Sequence, residues 1–124
     1  MKNLFLGFVA IAMIFASCSK EYTLNNQLNG SWDLSTLDGN AVTSGFKTLA
    51  FAKASDTKGT LVMTTVYGIL TTTESFSYVL ESDTKITWTP TGAGNVQVYT
   101  VVSHSASGLT LQDANAHIWV LKKK

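Results

Sequence analysis

The chain has 124 residues, room for one domain and little beyond it. Charged residues make up only 14% and hydrophobic ones 45%, a balance that excludes a disordered or charged-linker protein. All nine basic residues are Lys and the formal net charge is +1, so the sequence lacks both the basic field and the bidentate guanidinium on which specific nucleic-acid recognition relies.

In chain order, the first signal is a leader. Met1-Lys2-Asn3 is short and positive, Leu4 to Phe15 is apolar throughout, and Ala16-Ser17 are small, which is the order of an export signal. As a helix the apolar run would extend ~18 Å against a hydrocarbon core of ~30 Å, so it is expected to be removed rather than to stay as a membrane span. Phe15-Ala16-Ser17-Cys18 resembles a bacterial lipobox, which implies that Cys18 is acylated and becomes the first residue after cleavage. Cys18 is the only cysteine, so no intrachain disulfide forms; the alternative is an inert thiol inside an anchor helix. Ser19, by resemblance to lipoprotein sorting signals, points to the outer membrane, with a periplasmic or surface-facing domain and the bilayer as the first partner.

Residues 1–17 are therefore expected to be a signal-peptide helix, 18–27 a lipid-anchored tether of irregular chain, and 28–124 the folded domain. Removing residues 1–17 leaves 107 with a formal charge of zero. Lys122-Lys123-Lys124 is expected to be a solvated tail, with attraction to anionic head groups near the anchor as the alternative.

From Leu28 onward the apolar period is two. Trp32 and Leu34, Leu49 and Phe51, Leu61 and Met63, Phe76-Tyr78-Leu80, Ile86 and Trp88, Val96-Val98, Leu109 and Leu111, and Ile118 and Val120 all alternate with other residues, as strands do. Seventeen Thr residues suit the solvent face of a sheet, and no window forms an amphipathic helix. The runs begin near 31, 46, 60, 75, 85, 96, 109 and 117. Asp38-Gly39-Asn40, Asp56 to Gly59, Ser82-Asp83-Thr84, Pro90 to Asn95, Ser105 to Gly108 and Asp113 to Ala116 are turns between them. Eight short strands joined by tight links predict an all-β, antiparallel, up-and-down barrel, whose closure leaves no edge exposed; a β-sandwich is the alternative.

Gly30-Ser31-Trp32 at the head of the first strand and His117-Ile118-Trp119-Val120-Leu121-Lys122 at the end, behind a lipoprotein signal, resemble the small lipocalin-like lipoproteins of the Bacteroidota. In lipocalins the Gly of Gly-x-Trp lets the chain bend into the first strand, and the Trp closes one end of the barrel beneath a basic residue from a late strand. The resemblance implies those roles for Gly30 and Trp32.

No catalytic pattern emerges. His104 and His117 are the only imidazoles, and His-x-Glu, Cys-x-x-Cys and Gly-x-Ser-x-Gly are all absent, so neither an enzyme nor a metal site nor a cofactor is expected. What remains is binding. The aromatics must share one barrel interior, which either fills with side chains or holds one small ligand. Gly68 to Glu74, with Ile69 and Leu70 ahead of four polar residues, is expected to be a loop at the barrel mouth. A small hydrophobic ligand would then enter beside Ile69 and Leu70 and contact Phe76 and Tyr78; alternatively, Ile69 and Leu70 simply extend a strand. A rigid module presented to a protein or glycan partner is the competing function.

Overall fold

The structure, a computed structural model, describes residues 23–124. The signal peptide and Cys18 lie outside the described residues. Period-two alternation becomes nine strands: β1 (Gly30–Leu37), β2 (Asn40–Ala41), β3 (Phe46–Lys53), β4 (Lys58–Tyr67), β5 (Leu70–Ser82), β6 (Lys85–Pro90), β7 (Gln97–His104), β8 (Gly108–Gln112) and β9 (Ile118–Lys123). The two-residue β2 folds back on the end of β1. The other eight pair antiparallel with their chain neighbours, and β9 pairs with β1 to close the ring. The architecture is an eight-stranded up-and-down barrel, and the sandwich alternative falls away. Register shifts at Leu34/Thr36, Leu80/Ser82 and Val101/Ser103 mark the bulges that help strands curve into a barrel.

One residue in two faces inward. Trp32, Leu49, Phe51, Leu61, Phe76, Tyr78, Ile86, Trp88, Leu109, Leu111 and Leu121 are buried, while their neighbours along each strand are exposed or partly so. At ~25 cal/mol per Å², this shared interior is the main favourable term of folding.

The turns follow the chemistry of their residues. Asp38 (φ 52) and Gly39 (φ 80) are both left-handed, as a type I′ hairpin requires between Leu37 and Asn40. In Tyr67-Gly68-Ile69-Leu70 only Gly68 (φ 60) is left-handed, and the link is a two-residue hairpin in which Tyr67 pairs with Leu70. This corrects the expectation of a loop over 68–74: residues 70–74 belong to β5, which at 13 residues is the longest strand. Thr71-Thr72-Thr73 is polar but β-branched, and in an exposed strand the branching decides.

A second correction concerns the tether. Residues 23–28 are helical, not irregular, and Leu24 and Leu28 are fully buried against one end of the barrel. The two leucines are four apart, hence on one helix face, a short 3.6-period signal ahead of a long period-two chain.

Candidate functional site

The barrel has a closed and an open end, set by where the helix at 23–28 lies. At the closed end Asn25, wholly buried, donates through Nδ2 to Ser55 O at 2.6 Å and accepts from the Tyr78 hydroxyl. Burial pushes the Tyr78 phenol up to about 12 despite that bond, so it remains a neutral donor. Trp32, 1% exposed, donates its indole N–H to Leu28 O at 2.9 Å, tying the first strand to the helix that precedes it. Lys123 Nζ lies 4.8 Å from the Trp32 ring centroid and donates to Gln27 O at 2.8 Å and Asn29 O at 2.6 Å. Its pKa is lowered by burial.

Gly30 (φ 124) has a backbone that L side chains rarely adopt, and a Cβ there would meet Lys123 Cε at 2.9 Å. Gly30 thus lets the chain turn into β1, and Trp32 is buried at the closed end with Lys123 of β9 over its ring. The C-terminal lysines, expected as a solvated tail, are in part strand: Lys122 and Lys123 belong to β9 and Lys123 is half-buried, while Lys122 and Lys124 do stay exposed, Lys124 Nζ lying 3.7 Å from Asp33.

Between the two ends the rings form a continuous column. Tyr78 meets Phe51 (5.5 Å between centroids), Phe51 meets Trp88 (6.3 Å), Trp88 meets Phe76 (5.7 Å) and Tyr99 (4.0 Å), and Tyr99 meets Trp119 (5.6 Å). Offset and edge contacts at these distances are the arrangement aromatic quadrupoles favour. The column fills the interior. Trp88 Nε1, buried within it, has no hydrogen-bond partner among the described residues.

The open end is where side chains on the inner face of the strands reach solvent. Tyr99 donates to Gln97 Oε1 at 2.6 Å, and Trp119 Nε1 donates to Asp113 Oδ2 at 3.1 Å. Burial, then the Asp113 and Glu74 carboxylates, push the Tyr99 phenol well above its ordinary value. Lys47 Nζ donates to Thr65 Oγ1 at 3.0 Å across the β3–β4 pair. The pairing of β7 with β8 begins only at Thr100 and Gln112, and a shallow cleft of about 270 Å³ lies between Val96–Tyr99 and Asp113–Asn115. Outside the rim, Asp38 takes the Ile118 amide at 2.8 Å and the His117 ring at 2.6 Å.

The structure does not bring the four predicted ligand residues together. Ile69 is fully exposed at the β4–β5 hairpin tip and Leu70 is 59% exposed beside it. Phe76 and Tyr78 are 1% exposed inside the core, and Tyr78 lies eight residues down β5, ~27 Å from Leu70. The rim contains other residues instead: Tyr67 and Phe46, each 53% exposed, flank the same hairpin, and the Tyr67 ring packs over Gly45. Alternation could have found part of this, because Glu74, Thr72 and Leu70 share the parity of inward Phe76, and Lys123 shares that of Leu121. Among the described residues no three His, Cys, Asp or Glu side chains converge as metal ligands.

No family model matches the chain, and no curated protein matches it in sequence. A solved structure does: a lipocalin-like protein from Bacteroides uniformis superposes with a TM-score of 0.61 at 16% identity, covering 79% of this chain and 99% of that one. The fold is lipocalin-like.

Proposed function

We propose that the protein is a non-catalytic binding domain, held at the cell envelope by acylation of Cys18, that recognises its partner at the rim of the barrel mouth rather than in a deep calyx. The observation that supports this reading is the aromatic column. Phe51, Phe76, Tyr78, Trp88 and Tyr99 are each no more than 3% exposed and meet ring to ring, so the space a deep apolar ligand would need is occupied by side chains. Four of the exposed apolar side chains, Phe46, Tyr67, Ile69 and Leu70, stand around one hairpin at the mouth, while Val96, Val98 and Val102 on and just before β7, and Leu37, Val62 and Val79, are exposed elsewhere. Solvent-exposed apolar side chains grouped in this way mark interaction surfaces. The partner is a protein or a glycan at the envelope.

A second reading, a small hydrophobic ligand, draws on the lipocalin-like fold and on the cleft beside Tyr99. At about 270 Å³ that cleft lies just under the usual range of ~300–1,000 Å³ for ligand pockets. Fluorescent fatty-acid or retinoid probes titrated against the protein separate the two. Rim recognition predicts no saturable binding across an apolar panel and, in cross-linking within the native envelope, a partner lost in Ile69→Asp with Leu70→Asp. Saturable probe binding weakened by the same double substitution would shift the function to a carrier. Anchoring is tested with radiolabelled palmitate, which should enter the wild type and not Cys18→Ala.

A further inference from the structure

The geometry points to the closed end of the barrel as a membrane-facing surface that rests on anionic phospholipid and turns the mouth away from the bilayer. The inference rests on the reading of Cys18 as acylated. Two observations on the described residues carry it: where the chain leaves them, and how charge divides between the two ends.

Residue 23 opens the helix that seals the closed end. Cys18 is five residues upstream, so the link between lipid and helix spans at most about 18 Å fully extended. The mouth is at least as far: Leu70 lies ~27 Å along β5 from Tyr78, the residue that meets the helix at Asn25, which a strand tilt of ~40° makes ~20 Å along the barrel axis. Inversion would need the tether drawn out to its full length, so the short link favours the closed end at the bilayer and leaves the tilt open.

Charge selects among the tilts. Of the nine lysines in the chain, seven are in the described residues, and every one of these except Lys47 sits at closed-end strand termini: the end of β3, the starts of β4 and β6, and the end of β9. The carboxylates of that half are Asp33, Asp56, Glu81 and Asp83, which leaves its side chains with a positive excess. The mouth half has Asp38, Glu74 and Asp113 against Lys47, a negative excess. Within the basic half Lys85 pairs with Glu81 at 3.2 Å, Lys124 with Asp33, and Lys123 is committed to the helix carbonyls. Lys58 and Lys122 are exposed and have no side-chain partner among the described residues. They are free to meet phosphate head groups, and a lysine at an anionic surface contributes about a fivefold preference for the bound state. The acidic mouth is repelled by the same surface.

The test uses the natural lysines as reporters. The acylated protein is reconstituted into phosphatidylethanolamine–phosphatidylglycerol vesicles, treated with a membrane-impermeant amine acylating reagent, and mapped by mass spectrometry. Relative to the detergent-solubilised protein, Lys58 and Lys122 should react about fivefold more slowly and Lys47 at an unchanged rate. Equal protection of Lys47, or no protection of Lys58 and Lys122, overturns the orientation. Protection that persists undiminished in phosphatidylcholine vesicles or at high salt overturns the electrostatic contact. Should the cell-derived protein prove unacylated, the reading of Cys18 fails by itself. The chain from Cys18 onward, coupled through that sole thiol to a maleimide lipid, still tests the membrane-facing surface, because residues 23–124 close the barrel without the leader.

Discussion

Replacing Trp32 tests the closed end directly. The side chain is 1% exposed, so Trp32→Ala empties the largest single volume beneath the helix, and truncations of this kind cost about 3–5 kcal/mol. For a domain of this size each kcal/mol lowers the melting temperature by about 4–8 °C, so a fall of roughly 12–40 °C is expected by circular dichroism or scanning calorimetry. Trp32→Phe separates bulk from bonding. It keeps a ring under Lys123 but removes the N–H that Leu28 O accepts at 2.9 Å, leaving a buried carbonyl unpaired at a cost of about 1–3 kcal/mol on top of the lost ring volume. Trp88→Phe is the matched control, since Trp88 is equally buried but its Nε1 has no partner to lose among the described residues. The Trp32 substitution should be the more damaging of the two Phe variants by about 1–2 kcal/mol. A melting temperature for Trp32→Ala within a degree or two of wild type would refute the assignment of Trp32 as the closure of the barrel. Equal losses in the two Phe variants would refute the role of the indole bond.

Gly59→Ala places a Cβ 2.5 Å from the Tyr78 hydroxyl oxygen and 2.6 Å from its Cε1, so it should cost about 1–3 kcal/mol in urea unfolding, while Gly92→Ala, with nothing within 4 Å, should be well tolerated. The Asp38–His117 contact should respond to pH in both directions. The Asp38 carboxyl is held below its ordinary 3.8 by the Ile118 amide and then by His117, so its contribution fades as pH falls through that lowered value; His117 is raised above 6.5 chiefly by its bond to Asp38, so its contribution is complete below 6.5 and fades as pH rises through the raised value. The protection factor of the Ile118 amide, its exchange rate corrected for the intrinsic base-catalysed rate, should therefore be greatest at mildly acidic pH and fall toward alkaline pH, with Asp38→Asn flattening that dependence. In β5 the Tyr67–Leu70 hairpin pair turns the Thr72 and Glu74 amides toward β4 and those of Thr71 and Thr73 away from it, where β6 has already ended at Pro90. Hydrogen exchange should alternate fast at Thr71 and Thr73 against slow at Thr72 and Glu74; uniform protection would mean that the edge is covered.

The barrel was legible because an antiparallel sheet with one face buried writes its register into every second residue. Phe76-Tyr78-Leu80 and Leu109-Leu111 alternate without exception, and turn chemistry at Asp38-Gly39 and Ser82-Asp83-Thr84 punctuates them. The misreadings fall where polarity and conformation part company. Thr71-Thr72-Thr73-Glu74 is polar because both faces of that stretch are wet, yet it is strand. Leu24 to Leu28 contributes to the core from a helical turn too short for a periodicity argument, and its amide Asn25 is buried only because Tyr78, Ser55 and Lys58 come to meet it from distant sequence. The candidate site was less legible for the same reason. Parity along β5 shows which face a residue takes but not how far up the barrel it stands, and that height separates exposed Leu70 from buried Tyr78 on a shared face.

The two ends of this barrel are built on opposite terms. At the closed end, the helix, Trp32, Asn25, Tyr78, Gln27 and Lys123 satisfy one another, so nearly every polar group has a partner and a substitution there acts on stability. At the mouth, Ile69, Leu70, Tyr67 and Phe46 make little use of burial, and β5 runs on past the end of β6 with one backbone edge open. Nothing in the folding of the barrel requires those apolar side chains to be exposed or that edge to extend beyond its neighbour. An end that contributes little to stability tolerates substitution more readily than the closed end, so Ile69 and Leu70 can be changed to test recognition without unfolding the barrel.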